Sequence, residues 1–408
     1  MLAVLRSRAK NSVPVGRGKL RVAVAFLACT EMIVALSTSS QAQADCVRTY
    51  NFGGISSTTG DLVPQASPLI SIINTVNTAF LTNTTSFVSA PAGPRPDQPS
   101  GGVWARTIGG TVDSTSDSTS TPDFSKVTGF FGPPFVATGM QKCQQTNNQD
   151  YAGFQIGGDV AKLNIGNSGA NWHFGITAGN FYARAEDTTL NSPDLKARFE
   201  VPFIGAYTAM TQGNFFADAQ VRWDFYRGTL SSGQQLFSGV PSEALGLSVT
   251  ASAGYRIALA SNWFIEPSVG AVWSRTKVDP VITPFDGGPE TTSLRINDID
   301  SILGRASLRL GTNVTQGDYT WQPFITASVV HEFAKNVTSA VTINAPGDAF
   351  DQAVFNSSTE RFGTYGQFGL GTAIVVGNTG WLGYGRADVK VGENVQGAGF
   401  NLGLRYQW

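Results

Sequence analysis

Chemistry in this 408-residue chain would have to come from few residue types. It has two histidines, His173 and His331, and three cysteines, Cys29, Cys46 and Cys143. Neither histidine has a Cys/His ligand set near it in sequence, so no zinc site is read. No G-x-S-x-G elbow, phosphate-binding glycine loop or metal-binding cluster occurs. No catalytic residue, metal site or cofactor is therefore assigned, and the chain is read as not an enzyme. What remains open is disulfide chemistry. Cleavage of an N-terminal export signal would remove Cys29 and leave Cys46 and Cys143, which can pair in an oxidising compartment if topology lets them meet.

That export signal has three parts. Arg6, Arg8, Lys10, Arg17, Lys19 and Arg21 form a positive flank, Val22 to Leu36 an oily core, and Ala42-Gln43-Ala44 an A-x-A site. Residues 1–44 are read as a signal peptide for the Sec pathway, cut after Ala44. Composition narrows the class of the exported chain. The 28 basic and 29 acidic residues give a net charge of −1, which excludes a charge-driven nucleic-acid binder. The 46 glycines with 11% aromatic residues suit strands and turns better than helices. Beyond the signal, no apolar run approaches the ~18 residues of a spanning helix. A membrane form must then be a closed barrel, which alone among sheets satisfies all its backbone in lipid.

The elements are read from periodicity. Residues 45–66 are a short Gly/Ser/Thr-rich stub, too small for a domain. Ser67 followed by Pro68 is a helix start, a side-chain acceptor and then proline at the first helical position. Leu69, Ile72, Ile73, Val76 and Phe80 recur at helical spacing, and Asn74, Thr75, Asn77, Thr78 and Thr82 take the other face, so 67–90 is read as an uncharged helix. The Pro/Gly-rich stretch 91–101 is a stiff linker. From residue 102 to 408 the period becomes two. Twelve strands are expected at 102–112, 151–163, 171–185, 195–210, 213–228, 243–260, 262–277, 299–314, 317–335, 359–376, 379–391 and 398–408.

Each strand has an oily side about as long as a tilted bilayer crossing of ~9–11 residues. The connections alternate short and long, as in outer-membrane barrels with short periplasmic turns and long external loops. Trp172, Trp263, Trp321 and Trp381 come just after short turns, where a periplasmic aromatic girdle would lie. The fold class is thus all-β, a twelve-stranded antiparallel transmembrane β-barrel with an N-terminal α-helix. The first long loop, with 112-VDSTSDSTSTPD-123, is expected to be polar and mobile. Strand parity puts a mixed, slightly positive set of charges on the lumen side: Arg106, Lys196, Arg198, Arg222, Arg256, Arg305, Arg309, Arg386, Lys390 and Arg405, against Asp159, Glu200, Asp218, Asp224, Glu266 and Asp388. By the same parity His173 faces the lumen and His331 lies near the outer rim.

The strand 399-GFNLGLRYQW-408 alternates strictly, with Phe400, Leu402, Leu404, Tyr406 and Trp408 facing lipid. Together with 101-GGVWARTIGG-110 at the start of the first strand and a neutral, Asn/Thr-rich helix directly ahead of a roughly 300-residue barrel, it resembles the C-terminal translocator of autotransporters, the type V secretion proteins of Gram-negative bacteria. The resemblance implies location in the bacterial outer membrane and contact with its lipid. It also implies that Phe400 to Trp408 act as a signal for the barrel-assembly machinery. The helix would thread the lumen and join the barrel to a passenger outside. Autotransporters commonly carry long passengers, whereas only Asp45 to about Ser67 stands ahead of this helix, so a very short exported segment is expected. With the helix threaded, Cys46 emerges beside the external loop that holds Cys143, and a Cys46–Cys143 disulfide is expected. Some family members cut themselves at a helical asparagine; Asn74, Asn77 and Asn83 are available, with no base at a fixed spacing. Three other readings stay open: a porin-like channel, a surface protein binding ligands through its long loops, and a soluble sandwich with the same strand pattern.

Overall fold

The computed structural model describes residues 47–52, 55–60, 66–79, 94–123, 141–189, 195–232, 237–284, 291–344, 346, 351–377 and 379–408. Cys29, Ala44, Cys46 and Asn83 lie outside them. Twelve long staves form a closed antiparallel barrel: β3 (Gln98–Asp123), β4 (Gln141–Leu163), β5 (Ala170–Asp187), β6 (Leu195–Gln212), β7 (Phe215–Ser232), β8 (Phe237–Tyr255), β10 (Trp263–Val278), β13 (Ile299–Thr312), β15 (Tyr319–Glu332), β18 (Thr364–Val376), β19 (Trp381–Gly392) and β20 (Val395–Gln407). Short pieces continue some staves: β9 (Ile257–Ala258), β11 (Val281–Pro284), β12 (Thr291–Ile296), β14 (Val314–Gln316), β16 (Val337–Asn344) and β17 (Val354–Thr359). Two strands, β1 (Val47–Phe52) and β2 (Ile55–Gly60), pair as a separate hairpin, and α1 spans Ser67–Ala79.

Closure is made by β20 against β3, from Val395 opposite Ser114 to Gln407 opposite Gly102. No edge is left for lipid to strand without partners. Tight connections, such as those around Gly213 and Gly317 with their left-handed φ of 56° and 59°, gather at one rim. That rim is the periplasmic one. Trp172, Trp263, Trp321, Trp381 and Trp408 all stand exposed on the outer wall at this level. Above them the outward side chains are apolar, among them Phe174, Ile176, Ile204, Trp223, Val269, Leu308 and Phe368.

The wall rises further than periodicity of apolar residues implies. The segment 112–123 is not a mobile loop. It extends β3, pairing with β4 as far as Ser120 opposite Gln141 and with β17 from Ser118 to Asp123. Ser114, Ser116, Ser118 and Ser120 point inward and are buried, while Thr and Asp residues take the outer side. Both faces are polar, so the alternation is invisible to a hydrophobic pattern. Likewise the supposed loops 278–298 and 336–358 contain β11, β12, β16 and β17, which pair in turn and return to β3. β3 also begins at Gln98, inside the stretch read as linker.

In β6 the inward and outward sides are the reverse of the expected ones. Leu195, Ala197, Phe199, Val201 and Phe203 are buried inside the barrel, and Lys196, Arg198 and Glu200 face outward. The physical reason is that both sides of this stave are oily. Ile204 and Ala206 meet lipid below, and the charges occupy only the outer end, above the apolar band, where water reaches them.

Candidate translocation lumen

Helix α1 lies inside the barrel, close to β3, β4, β5 and β6. It forms because Pro68 fixes the first turn and no glycine interrupts the next ten residues. Residues Leu69, Ile70, Ile72, Ile73 and Val76 are almost wholly buried and belong to one apolar cluster with Phe181, Phe199, Phe203, Tyr226 and Leu303 of the wall. The opposite face bonds to polar wall residues. Asn147 Nδ2 donates to Ser67 Oγ at 2.7 Å, and Ser67 and Ser116 hydroxyls lie 2.6 Å apart. Ser71 Oγ donates to Gln149 Oε1 at 2.6 Å and accepts from Ser114 Oγ at 3.1 Å. Asn77 Nδ2 donates to Ser274 Oγ at 2.8 Å. An uncharged helix brings no ion of its own that the wall would have to neutralise.

These partners give the helix a direction. Ser67 meets Ser116 and Asn147, well up the outer part of β3 and β4. Val76 is lower: its carbonyl accepts from the Arg222 guanidinium at 3.5 Å, a cation at the end of the helix where carbonyls lack partners. Arg222 is held by Asp224 at 2.5 Å and lies over the Phe203 ring, 5.2 Å from its centroid. Lys390 Nζ donates to Thr78 Oγ1 at 3.4 Å.

Below Ala79 the inner wall carries paired charges. Asp159 of β4 is the hub. Arg405 of β20 donates to both its oxygens, at 2.6 and 2.8 Å, His173 Nδ1 donates at 2.8 Å and Tyr207 Oη at 2.7 Å. Tyr207 accepts in turn from Trp104 Nε1 at 2.7 Å. To reach β4, Arg405 passes over β3 at Gly102, where a Cβ would stand 2.6 Å from its guanidinium. Only glycine leaves that path open. Glu266 holds Arg256 at 2.9 Å and Arg309 at 3.5 Å, and Arg309 stacks 3.8 Å over Phe324. Arg106 Nε donates to Gln155 Oε1 at 2.6 Å, and Arg386 pairs with Asp388. Arg305 is buried in the same region, and Asp218 accepts from Ser252.

Of the charges expected in the lumen, then, Lys196, Arg198 and Glu200 are elsewhere, on the outer wall. His173 is fully buried in the Asp159 network, and His331 sits at the external end of β15, bonded to Thr364. Asn74 and Asn77 lie in α1. Phe400, Leu402, Leu404, Tyr406 and Trp408 are all exposed on the outer wall. Cys143 is disulfide-bonded. Sequence reasoning missed Trp104, Tyr207, Gln155 and the serines of β3. The inward parity shared by Trp104 with Arg106, and by Asp159 with Gln155, was the available signal. At the periplasmic rim Lys162 lies 2.9 Å from Asp97, and that bond holds the Asp97 carboxyl below its ordinary range.

Comparison with known proteins places this arrangement. The family profile described as "Autotransporter beta-domain" matches residues 103–388. The chain is 28% identical over 288 residues to the pertactin autotransporter of Bordetella parapertussis, covering 66% of this chain and 28% of that protein. It is 23% identical over 240 residues to the probable autotransporter YcgV of Escherichia coli, covering 57% and 21%. The chain therefore spans less than a third of the length of these curated relatives. Among solved structures, the transport unit of the autotransporter AIDA-I from Escherichia coli has a TM-score of 0.57 at 15% identity, over 84% of this chain and 99% of that one. The translocator domain of NalP from Neisseria meningitidis has a TM-score of 0.55 at 13% identity, over 84% and 98%. A barrel sealed between first and last staves, holding an uncharged helix above a floor of paired charges, thus coincides with a profile match over most of its length, and the chain belongs to the autotransporter β-domain family of the bacterial outer membrane.

Proposed function

We propose that the barrel anchors and exports its own N-terminal region, with α1 as the trailing segment of that export. The observation that carries this reading is the direction of α1. Its first residue is bonded to the outer part of β3 and β4, its last turn points toward the periplasmic half, and the chain then begins the barrel at Gln98 on the periplasmic rim. Residues ahead of Ser67, including the β1–β2 hairpin, then belong on the cell surface. A helix packed across the outer half of the lumen weighs against a porin-like channel.

An epitope inserted after Ala44 tests the reading. Antibody binding to intact cells is the expected result; binding only after permeabilisation would overturn it. We propose further that Cys46 is the partner of Cys143, which ties the exported stub to the first external crossing. Non-reducing peptide mapping should recover the two cysteines in one linked pair, and a free Cys46 thiol in the folded protein would contradict it. The apolar outer face of β20, the stave that closes the barrel, supports a third proposal, that the barrel-assembly machinery reads Phe400 to Trp408.

A further inference from the structure

The outer wall carries a basic cluster that the lumen does not use. On β5 the outward side chains run from Trp172 through Phe174 and Ile176 to Tyr182. On β7 they run from Phe215 through Trp223 to Phe225. Each run covers about one bilayer crossing of ~9–11 residues, ending on an aromatic ring. The next outward residues are Arg184 and Arg227, and between them on β6 stands Arg198. All three are exposed, at the level where an outer leaflet has its headgroups.

The register makes this cluster costly by itself. Arg184 and Arg198 are directly opposite each other, a like-charge pair that destabilises a sheet. Acids are nearby, and most are already engaged. Glu186 pairs with Lys196 at 2.8 Å and with Arg184 at 3.3 Å. Glu200, opposite Arg227, accepts from Asn180 Nδ2 at 2.6 Å and from the Tyr182 hydroxyl at 3.3 Å. Asp150 lies across from Arg184. Among the described residues neither Arg198 nor Arg227 forms an ion pair, and both line a shallow surface pocket with Tyr182 and Glu200. On β15, β18 and β19, exposed outward residues toward the external ends include Val329, Phe368 and Val391.

We infer that this pocket binds a phosphate-bearing, multiply acylated glycolipid of the outer leaflet. Arg198 and Arg227 take the phosphate, and the acyl chains run down over Ile204, Trp223 and Ile176. Guanidinium groups suit the phosphate because their N–H forks match its oxygens and remain charged at any physiological pH. The headgroup anion also relieves the Arg184–Arg198 repulsion. A soluble anion would satisfy the arginines and ignore the apolar slope beneath them.

Native mass spectrometry of the detergent-purified full chain, titrated with bisphosphorylated lipid A, tests the inference. The Arg198→Gln/Arg227→Gln variant should bind about tenfold more weakly or worse, as expected for losing charge-assisted hydrogen bonds. Dephosphorylated lipid A should bind the unaltered chain with a similar loss, and a large excess of inorganic phosphate should fail to displace the lipid. Lys277→Gln, which removes an exposed cation from β10, should leave binding unchanged. Heat-modifiable migration checks that each variant is a folded barrel. Equal binding by the double variant would overturn the site. So would displacement by phosphate alone, or a matching loss in Lys277→Gln, which would mean only general surface charge.

Discussion

The outer and inner halves of the lumen share the same twelve staves and are filled by opposite means. In the outer half, Phe181, Phe199, Phe203 and their neighbours make an apolar socket, and α1 sits in it with its hydroxyls and amides bonded to Ser114, Ser116, Asn147 and Gln149. In the inner half, Asp159 and Glu266 are paired with arginines of nearby staves along the inner wall. The contrast teaches that a barrel interior need not be uniformly polar. A guest segment without charge is held where the wall offers apolar side chains and neutral hydrogen-bonding groups, and the arginine pairs of Asp159 and Glu266 lie below it. Arg222, paired to Asp224 and reaching the Val76 carbonyl, marks the boundary between the two.

Three substitutions separate the halves. The largest effect is expected for Asp159→Ala, which leaves Arg405 buried without its counter-ion. A broken buried pair costs about 3–5 kcal/mol. The barrel should lose its heat-resistant compact migration at a clearly lower temperature, with amide exchange in α1 little changed. Next comes Ile72→Ala in the socket. Removing a fully buried isoleucine side chain costs roughly 2–5 kcal/mol, and here the loss should fall on helix docking. Faster hydrogen exchange across Ser67–Ala79 would be the sign, while the seam between β20 and β3 keeps its protection. The smallest is Ser71→Ala, which removes the bonds to Gln149 and Ser114 for about 1 kcal/mol, read as a modest rise in the same exchange rates. If Asp159→Ala loosened α1 as much as Ile72→Ala did, the two halves would be one cooperative unit and the comparison would fail.

Much of the barrel was legible in the sequence because a lipid-facing side demands an apolar residue at every second position, and β7, β8, β10 and β20 meet that demand plainly. The uncharged face of α1 likewise announced a segment that avoids burying ions. Two things were hidden. One was the orientation of β6, since Phe199 and Phe203 look like lipid-facing residues until the apolar side of α1 is given a wall to face; Leu69, Ile72, Ile73 and Val76 implied such a wall. The other was the height of the barrel. Ser114 to Ser120 alternate in direction with no change in polarity, so nothing in a hydrophobicity pattern separates them from a loop. The Asp159 hub was half visible. Strand parity turned Asp159, His173 and Arg405 inward, but their meeting depends on the stagger of β4, β5, β6 and β20, which no local spacing encodes.

The reach of Arg405 across Gly102 to Asp159 has a consequence for how the last joint is made. A ladder of alternating residues tolerates a slip of two positions, because every side chain keeps its face. Such a slip would carry Arg405 past Gly102 and leave Arg405 and Asp159 buried without each other. Misalignment thereby becomes expensive at a single spot, and the final stave has one correct place to stop.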